Sequence, residues 1–334
     1  MPSETAAARL IIDTLGSHPM NEYADVPRHD QLIRMALRRR RVEIRPVGER
    51  SLVFVFGGVV VGGMDATVTT LVSAHARRIT ANPQLLRRHL EIQDVAVEAL
   101  DEPRADQPAD DSAAEPSDEA QEAGSGVPAG DAAAAPAENE DAAGAPTENS
   151  APISGNGSAA SSNVRVFVVG ERVCAALMRV PLLVLGDGQS SVRQLLDRQA
   201  VARSKHVLLA RGPALPSDES LSALGVSPSR VLAAGELLQL EDSSALSENA
   251  LTIDVTDAMP DSLLELAVEA VAAVPGLNAA AADLEIVDLE SAEGAVVSAV
   301  IPEADIRPAH FPAYGEPHDV AGAIAEEILL RASR

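Results

Sequence analysis

Between residues 101 and 162 the chain is built from Ala, Pro, Gly, Ser, Asp and Glu, with almost no large apolar side chain. Fourteen carboxylates stand there against one base, Arg104, so this run carries −13 of the chain's −24. Such a run cannot bury enough apolar surface to offset the entropy of ordering it, and it is expected to be a disordered, solvating linker. As a flexible coil it would span roughly 40–45 Å. The alternative is an acidic interaction segment. Either way, a compact fold has to come from the flanking parts, 1–100 and 163–334.

Those parts have the means. Of 334 residues 46% are apolar but only 2% aromatic, and there is no Trp, so the core must be aliphatic. Few aromatic platforms and a net charge of −24 argue against nucleic acid as a partner, and the charge also disfavours an anionic membrane surface. Cys174 is the lone cysteine, which excludes an internal disulfide and a Cys-based zinc site and fits a reducing compartment. The first twenty residues show no basic stretch followed by a continuous apolar run, so the expectation is a cytoplasmic protein without a membrane span. Lys205 is the only lysine. Arg-rich coding explains a surface without lysine, but not a site that needs an ammonium.

Patterning predicts the elements. His29–Arg41 reads as a helix whose terminal arginines complement its dipole. Ser51–Gly63 reads as two strands around Gly57-Gly58, followed by a helix over Thr67–Ile79. Asn82 and Pro83 open another helix. After the linker, Val164–Val169 and Val173–Met178 form a hairpin, and a helix covers Ser191–Gln199 after the Gly186-Asp187-Gly188 turn. Ser262 is expected to cap an apolar helix. Asp283–Leu289 and Ala295–Ile301 make a second hairpin, and Asp319 caps a last helix to Ala332. This order indicates an α+β sandwich.

Three stretches carry a resemblance. The helix Asn82-Pro83-Gln84-Leu85-Leu86-Arg87-Arg88-His89-Leu90 is the first. The second is Arg165-Val166-Phe167-Val168-Val169-Gly170 with Arg179-Val180-Pro181 and Gly186-Asp187-Gly188. The third runs from Gly235 through Asp254-Val255-Thr256-Asp257 to His310-Phe311-Pro312, Gly315-Glu316-Pro317 and Asp319-Val320-Ala321-Gly322. In this order they resemble the ATP-grasp ligases of the cyanophycin synthetase and glutathione-synthetase-like type. The resemblance implies an ATP-grasp-like α+β fold in which the acidic linker largely replaces the small nucleotide-binding subdomain. It makes 1–100 the lead-in and first helices, and 163–334 the C-terminal ATP-grasp-like domain.

Such ligases activate a carboxylate as an acyl-phosphate with ATP, two lysines, an arginine and two Mg²⁺ ions. Residue by residue, the resemblance puts the first lysine on Pro83, the arginine on Glu241 and an asparagine on Ala245. A glycine pair falls on Asn249 and Ala250. Of the metal ligands it keeps Asp283, but puts the Glu on Ala299 and the Asn on Ile301; the Pro-Gly that follows becomes Ala304-Asp305. One carboxylate should not hold two Mg²⁺ ions. Asp283 therefore reads as a remnant metal ligand or a strand-start residue. Arg165 and Arg179 read as a weak anion (cofactor) site or as paired surface arginines. Asp254 and Asp257 read as turn and cap residues, and His310 with His318 as too sparse for a metal. The resemblance thus implies a degenerate, non-catalytic pseudo-ligase that has lost ATP and Mg²⁺ and acts as a binding or scaffold protein. Its partner would be a protein, for instance an intact paralogous ligase. The alternatives are an active peptide-bond-forming ligase with a divergent or partner-completed site, and a gene in decay.

Overall fold

A computed structural model describes residues 5–97, 162–241 and 250–333. The disorder expected of the acidic run falls outside these residues, except at Ser162, which opens a strand. The first part supplies α1 (Ala6–Ser17), α2 (His29–Arg39), β1 (Glu43–Pro46), β2 (Ser51–Phe56), β3 (Val59–Asp65), β4 (Val68–Thr69), α3 (Ala74–Thr80) and α4 (Pro83–Ile92). The second supplies β5 (Ser162–Val169), β6 (Arg172–Val180), β7 (Leu183–Leu185), α5 (Val192–Ser204), α6 (Val207–Ala210), α7 (Asp218–Ala223), β8 (Leu237–Gln239) and β9 (Leu251–Asp254). It ends with α8 (Asp261–Ala272), β10 (Ala279–Ile286), β11 (Val296–Ile301), α9 (Arg307–His310) and α10 (Val320–Ala332). The class is α+β, as the order of elements predicted.

The centre is a five-stranded antiparallel sheet in the order β11-β10-β5-β6-β9. β5 and β6 turn tightly at Gly170, which sits at φ +64. Side chains alternate along each strand, so the sheet has two buried faces. Val164, Val166 and Val168 join Leu263, Ala267 and Val271 of α8, with Ile79, Leu86 and Leu90 of α3 and α4 in the same core. Phe167, Val169, Leu177 and Ala281 join Leu32, Ile33 and Leu37 of α2 and Ile324 and Ile328 of α10 on the other face. A four-stranded sheet, β1-β2-β3-β4, adds Phe54 and Met64 there. A third, smaller core gathers Leu182, Val192, Leu196, Leu221 and Leu232 around β7, β8, α5 and α7.

Caps decide most boundaries. Asn82 accepts from Leu85 N at 3.0 Å at the start of α4, and Asp319 from Gly322 N at 2.9 Å at the start of α10. Three expectations differ from the structure. The helix expected over Thr67–Ile79 begins only at Ala74, because the Ser73 hydroxyl accepts from Ala76 N at 3.0 Å. The β-branched Val68 and Thr69 before it pair with Asp65 and Met64 as β4. The apolar helix expected to be capped by Ser262 starts two residues earlier, with Pro260 in the cap position and no side-chain cap bond. The second hairpin also begins earlier, at Ala279, so Asp283 lies inside a strand rather than at its start.

The flanking parts share their cores. Residues 20–23 also bind the chain's last loops directly. Asn21 donates from Nδ2 to the carbonyls of Pro312 and Gly315, at 3.1 and 3.0 Å, and Tyr23 bridges to His206. Each buried Leu in such a core is worth roughly 1.5–3 kcal/mol, a large share of a domain's net stability. Fragment 163–334 expressed alone should therefore expose apolar surface and be poorly soluble, and fragment 1–100 supplied in trans should rescue it. Co-expression with size-exclusion chromatography checks this; a monomeric, sharply melting 163–334 indifferent to 1–100 refutes it.

One buried and two half-buried histidines give a second expectation. Burial pushes the pKa of His29, His206 and His310 down, more than the nearby Asp305 and Asp319 push those of His29 and His310 up. His310 Nε2 accepts from Ala321 N at 3.0 Å, which requires the neutral ring. Below an unfolded-state pKa of about 6.5 the unfolded chain takes up protons that the folded chain refuses. Stability is thus complete above that pH and falls as pH drops through the window below it. Melting curves from pH 7.5 to 5 should show this slope, and His310→Gln, which keeps an acceptor but does not titrate, should reduce it. A slope unchanged in the variant would remove His310 from the account.

Candidate functional site

The face of the sheet that carries Phe167 and Val169 turns polar toward the start of β5. Arg165 stands between Asp283 of β10 and Leu177 of β6, and Asn163 between Glu285 and Arg179. Asp283 is only 6% exposed. Arg165 grips it with two bonds, Nε to Oδ1 and Nη2 to Oδ2, each 2.7 Å. Arg179 Nη1 reaches Oδ2 at 3.4 Å. Two parallel guanidinium–carboxylate bonds are the strong form of this pair. Asn163 Nδ2 donates to Glu285 Oε1 at 2.7 Å. Burial and the neighbouring Arg165 draw the Arg179 pKa down, opposed by Asp283 and Glu285.

On the other side of β10 the ladder places Ala299 directly opposite Asp283, and Ile301 opposite Ala281. The two positions that the resemblance assigns to metal ligands thus flank Asp283 on the neighbouring strand. Neither carries a polar side chain.

On β9, Asp254 pairs with Leu177, beside the same polar end. Its Oδ1 accepts from Thr256 Oγ1 at 2.7 Å and Thr256 N at 3.1 Å, and lies 2.9 Å from His318 Nε2. Its Oδ2 accepts from Glu316 N at 3.2 Å. Thr256 Oγ1 is 3.1 Å from the same Nε2. A proton relay needs the carboxylate and the hydroxyl on opposite ring nitrogens; here both meet one, so the group is a loop clasp. Gly315, at φ +93, lets the last loop pass so close that a Cβ there would strike Asp254.

The remaining sequence-singled residues are scattered. Pro83 opens α4, and Lys205 caps α5 and pairs with Glu22 at 2.8 Å on the surface. Asp305 binds Arg307, and Ala304 is buried. Ala245 and Asn249 lie outside the described residues. Among the described residues no group of three His, Cys, Asp or Glu side chains is placed to hold a metal. Arg165, Arg179 and Asp283 are brought together. Asn163 and Glu285 escaped the sequence reading, although each lies two residues along a strand from a named residue, on the same face.

No family model matches the chain. Curated relatives do. The glutathione biosynthesis bifunctional protein GshAB of Mannheimia succiniciproducens is 33% identical over 154 residues, 43% of this chain and 20% of that protein. That of Lactiplantibacillus plantarum is 28% identical over 186 residues, 51% of this chain and 24% of that protein. The crystal structure of a bifunctional glutathione synthetase from Pasteurella multocida covers 91% of this chain and 44% of its own, with a TM-score of 0.61 and 15% identity, a likeness of fold. The matched stretch is thus about a fifth to a quarter of those curated relatives' length and under half of the crystallised chain. The chain thus shares the fold of a bifunctional glutathione synthetase and is locally similar in sequence to glutathione biosynthesis proteins.

Proposed function

We propose that this chain is a non-catalytic ATP-grasp relative that acts as a binding or scaffold protein, with an intact paralogous ligase as a partner that fits. One observation carries the reading. Both carboxylate oxygens of Asp283 are taken by Arg165 and Arg179, while Ala299 and Ile301 stand where further oxygen ligands would be needed. Mg²⁺ demands hard oxygen donors in near-octahedral geometry and keeps no company with guanidinium groups. The residues present do not fit a metal–nucleotide, and no catalytic step is derived through one. Pro83 and Glu241, at the positions the resemblance gives to cationic side chains, support the same reading. The arginines are then structural partners of Asp283, not a cofactor site.

Two outcomes follow. Calorimetric titration with ATP and Mg²⁺ should show no binding at millimolar nucleotide; a sub-millimolar, Mg²⁺-dependent dissociation constant would instead support the active, divergent or partner-completed ligase. Asp283→Ala leaves two largely buried arginines facing each other, and breaking a buried pair in this way costs about 3–5 kcal/mol. Denaturant unfolding should show that loss equally with and without Mg²⁺. A variant as stable as the parent, or a parent whose melting point rises with Mg²⁺, overturns the structural role.

A further inference from the structure

A surface on the far side of α2 meets the requirements of a docking site. α2 ends in a Schellman turn: Val42 N donates to Leu37 O at 3.1 Å and Arg41 N to Arg38 O at 2.9 Å. Leu37 and Val42 are both buried there, the apolar contact that accompanies the motif. The residue after the cap must take the left-handed conformation, and it is Arg41, at φ +62, where glycine is usual. The chain thus keeps a strained arginine at a position that glycine would fill without cost. Arg38, Arg39 and Arg41 are exposed, and none of them has a carboxylate within ion-pair distance among the described residues. The nearby carboxylates are already engaged, Glu326 by Arg40 and Arg172 and Glu43 by Arg45. In a chain with 50 acidic and 26 basic residues, Arg38, Arg39 and Arg41 are three arginines within four positions of one another, unpaired among the described residues.

The register places an apolar tip beside them. Glu43 pairs with Val55, so the Phe56–Val59 turn lies alongside Arg41. Phe56, Val59 and Val60 are 46, 65 and 64% exposed. An aromatic anchor and arginines around an apolar centre are the groups that dominate protein interfaces.

We propose that Phe56 and Val59, paired across the β2–β3 ladder, form with Arg38, Arg39 and Arg41 one docking surface for a protein partner presenting an apolar contact ringed by carboxylates. A second copy using the same face would oppose arginine to arginine. A chain of net charge −24 is repelled by anionic lipid and nucleic acid, so an acidic polypeptide face of limited extent, met by a local cationic patch, fits best. The surface is separate from the Asp283 end of the sheet and holds whether or not that end is active.

The test uses the full chain and labelled peptides read by fluorescence anisotropy. The probes are an amphipathic Glu/Leu helix, its Lys/Leu counterpart and an oligo-glutamate, with phosphatidylserine-containing vesicles as a further arm. The Glu/Leu peptide should bind saturably and the Lys/Leu peptide should not. Arg38→Glu with Arg39→Glu, and separately Phe56→Ser, should each weaken that binding by about ten-fold or more. Arg41→Gly separates fold from function: its melting point should rise by roughly 2 °C as the strain is relieved, while binding weakens. No binding by the Glu/Leu peptide overturns the proposal. So do indifference to these substitutions, equal binding of oligo-glutamate, and preference for the vesicles, the last pointing to a membrane contact instead.

Discussion

Everything else in this fold rests on one shared burial: side chains from before residue 97 close cores whose floor is made by strands after residue 162. Leu37 and Phe54 press on the face that Phe167, Leu177 and Ala281 provide, and Ile79 and Leu90 on the opposite one. Only the small core around Leu196 and Leu232 is built from the second part alone. Aliphatic packing is non-directional, so what fixes the arrangement is alternation along β5, which gives one row of side chains to each core. A one-residue slip would carry Arg165 into the α8 core and Val164 and Val166 out of it. The register of the central strand therefore decides at once where the cores form and where the charged end can be.

How much of this was legible in the sequence depended on the range of the interaction. The β5–β6 turn at Gly170 and the caps at Asn82 and Asp319 are set by residues within a few positions, and they appear as the pattern predicts. Thr67–Ile79 misled because Val68 and Thr69 satisfy a helical apolar spacing while their β-branched side chains and the neighbouring β3 favour a strand, and Ser73 starts the helix late. At the start of α8, Ser262 has the right chemistry for a cap but is already the second residue of the helix. The polar end of the sheet lay beyond local reading. Arg165 and Asp283 are 118 positions apart, and only the β5–β10 register joins them. The residues had been named by resemblance, but their mutual contact, with Asn163 and Glu285 around it, had no local signal.

On the proposed non-catalytic reading, that contact also bears on which metal-position residues persist. Two guanidinium groups on adjacent strands repel each other once they are partly withdrawn from water, and Arg179 is shifted accordingly. A carboxylate between them offsets the repulsion, filling the Arg165 fork and reaching one Arg179 nitrogen. Asp283 is thus held by its neighbours on β5 and β6 independently of any ligand. Ala299 and Ile301 occupy the opposite side of β10, on the neighbouring β11, where no described arginine depends on them. A carboxylate at 299 would sit directly across from Asp283, and like charges at facing positions destabilise a sheet unless a cation lies between them. Once a metal no longer binds, the same electrostatics that retain the aspartate favour loss of its neighbour. The pattern of one metal-position residue kept and two replaced by apolar side chains is what this local physics selects on the proposed reading, without any remaining demand from catalysis.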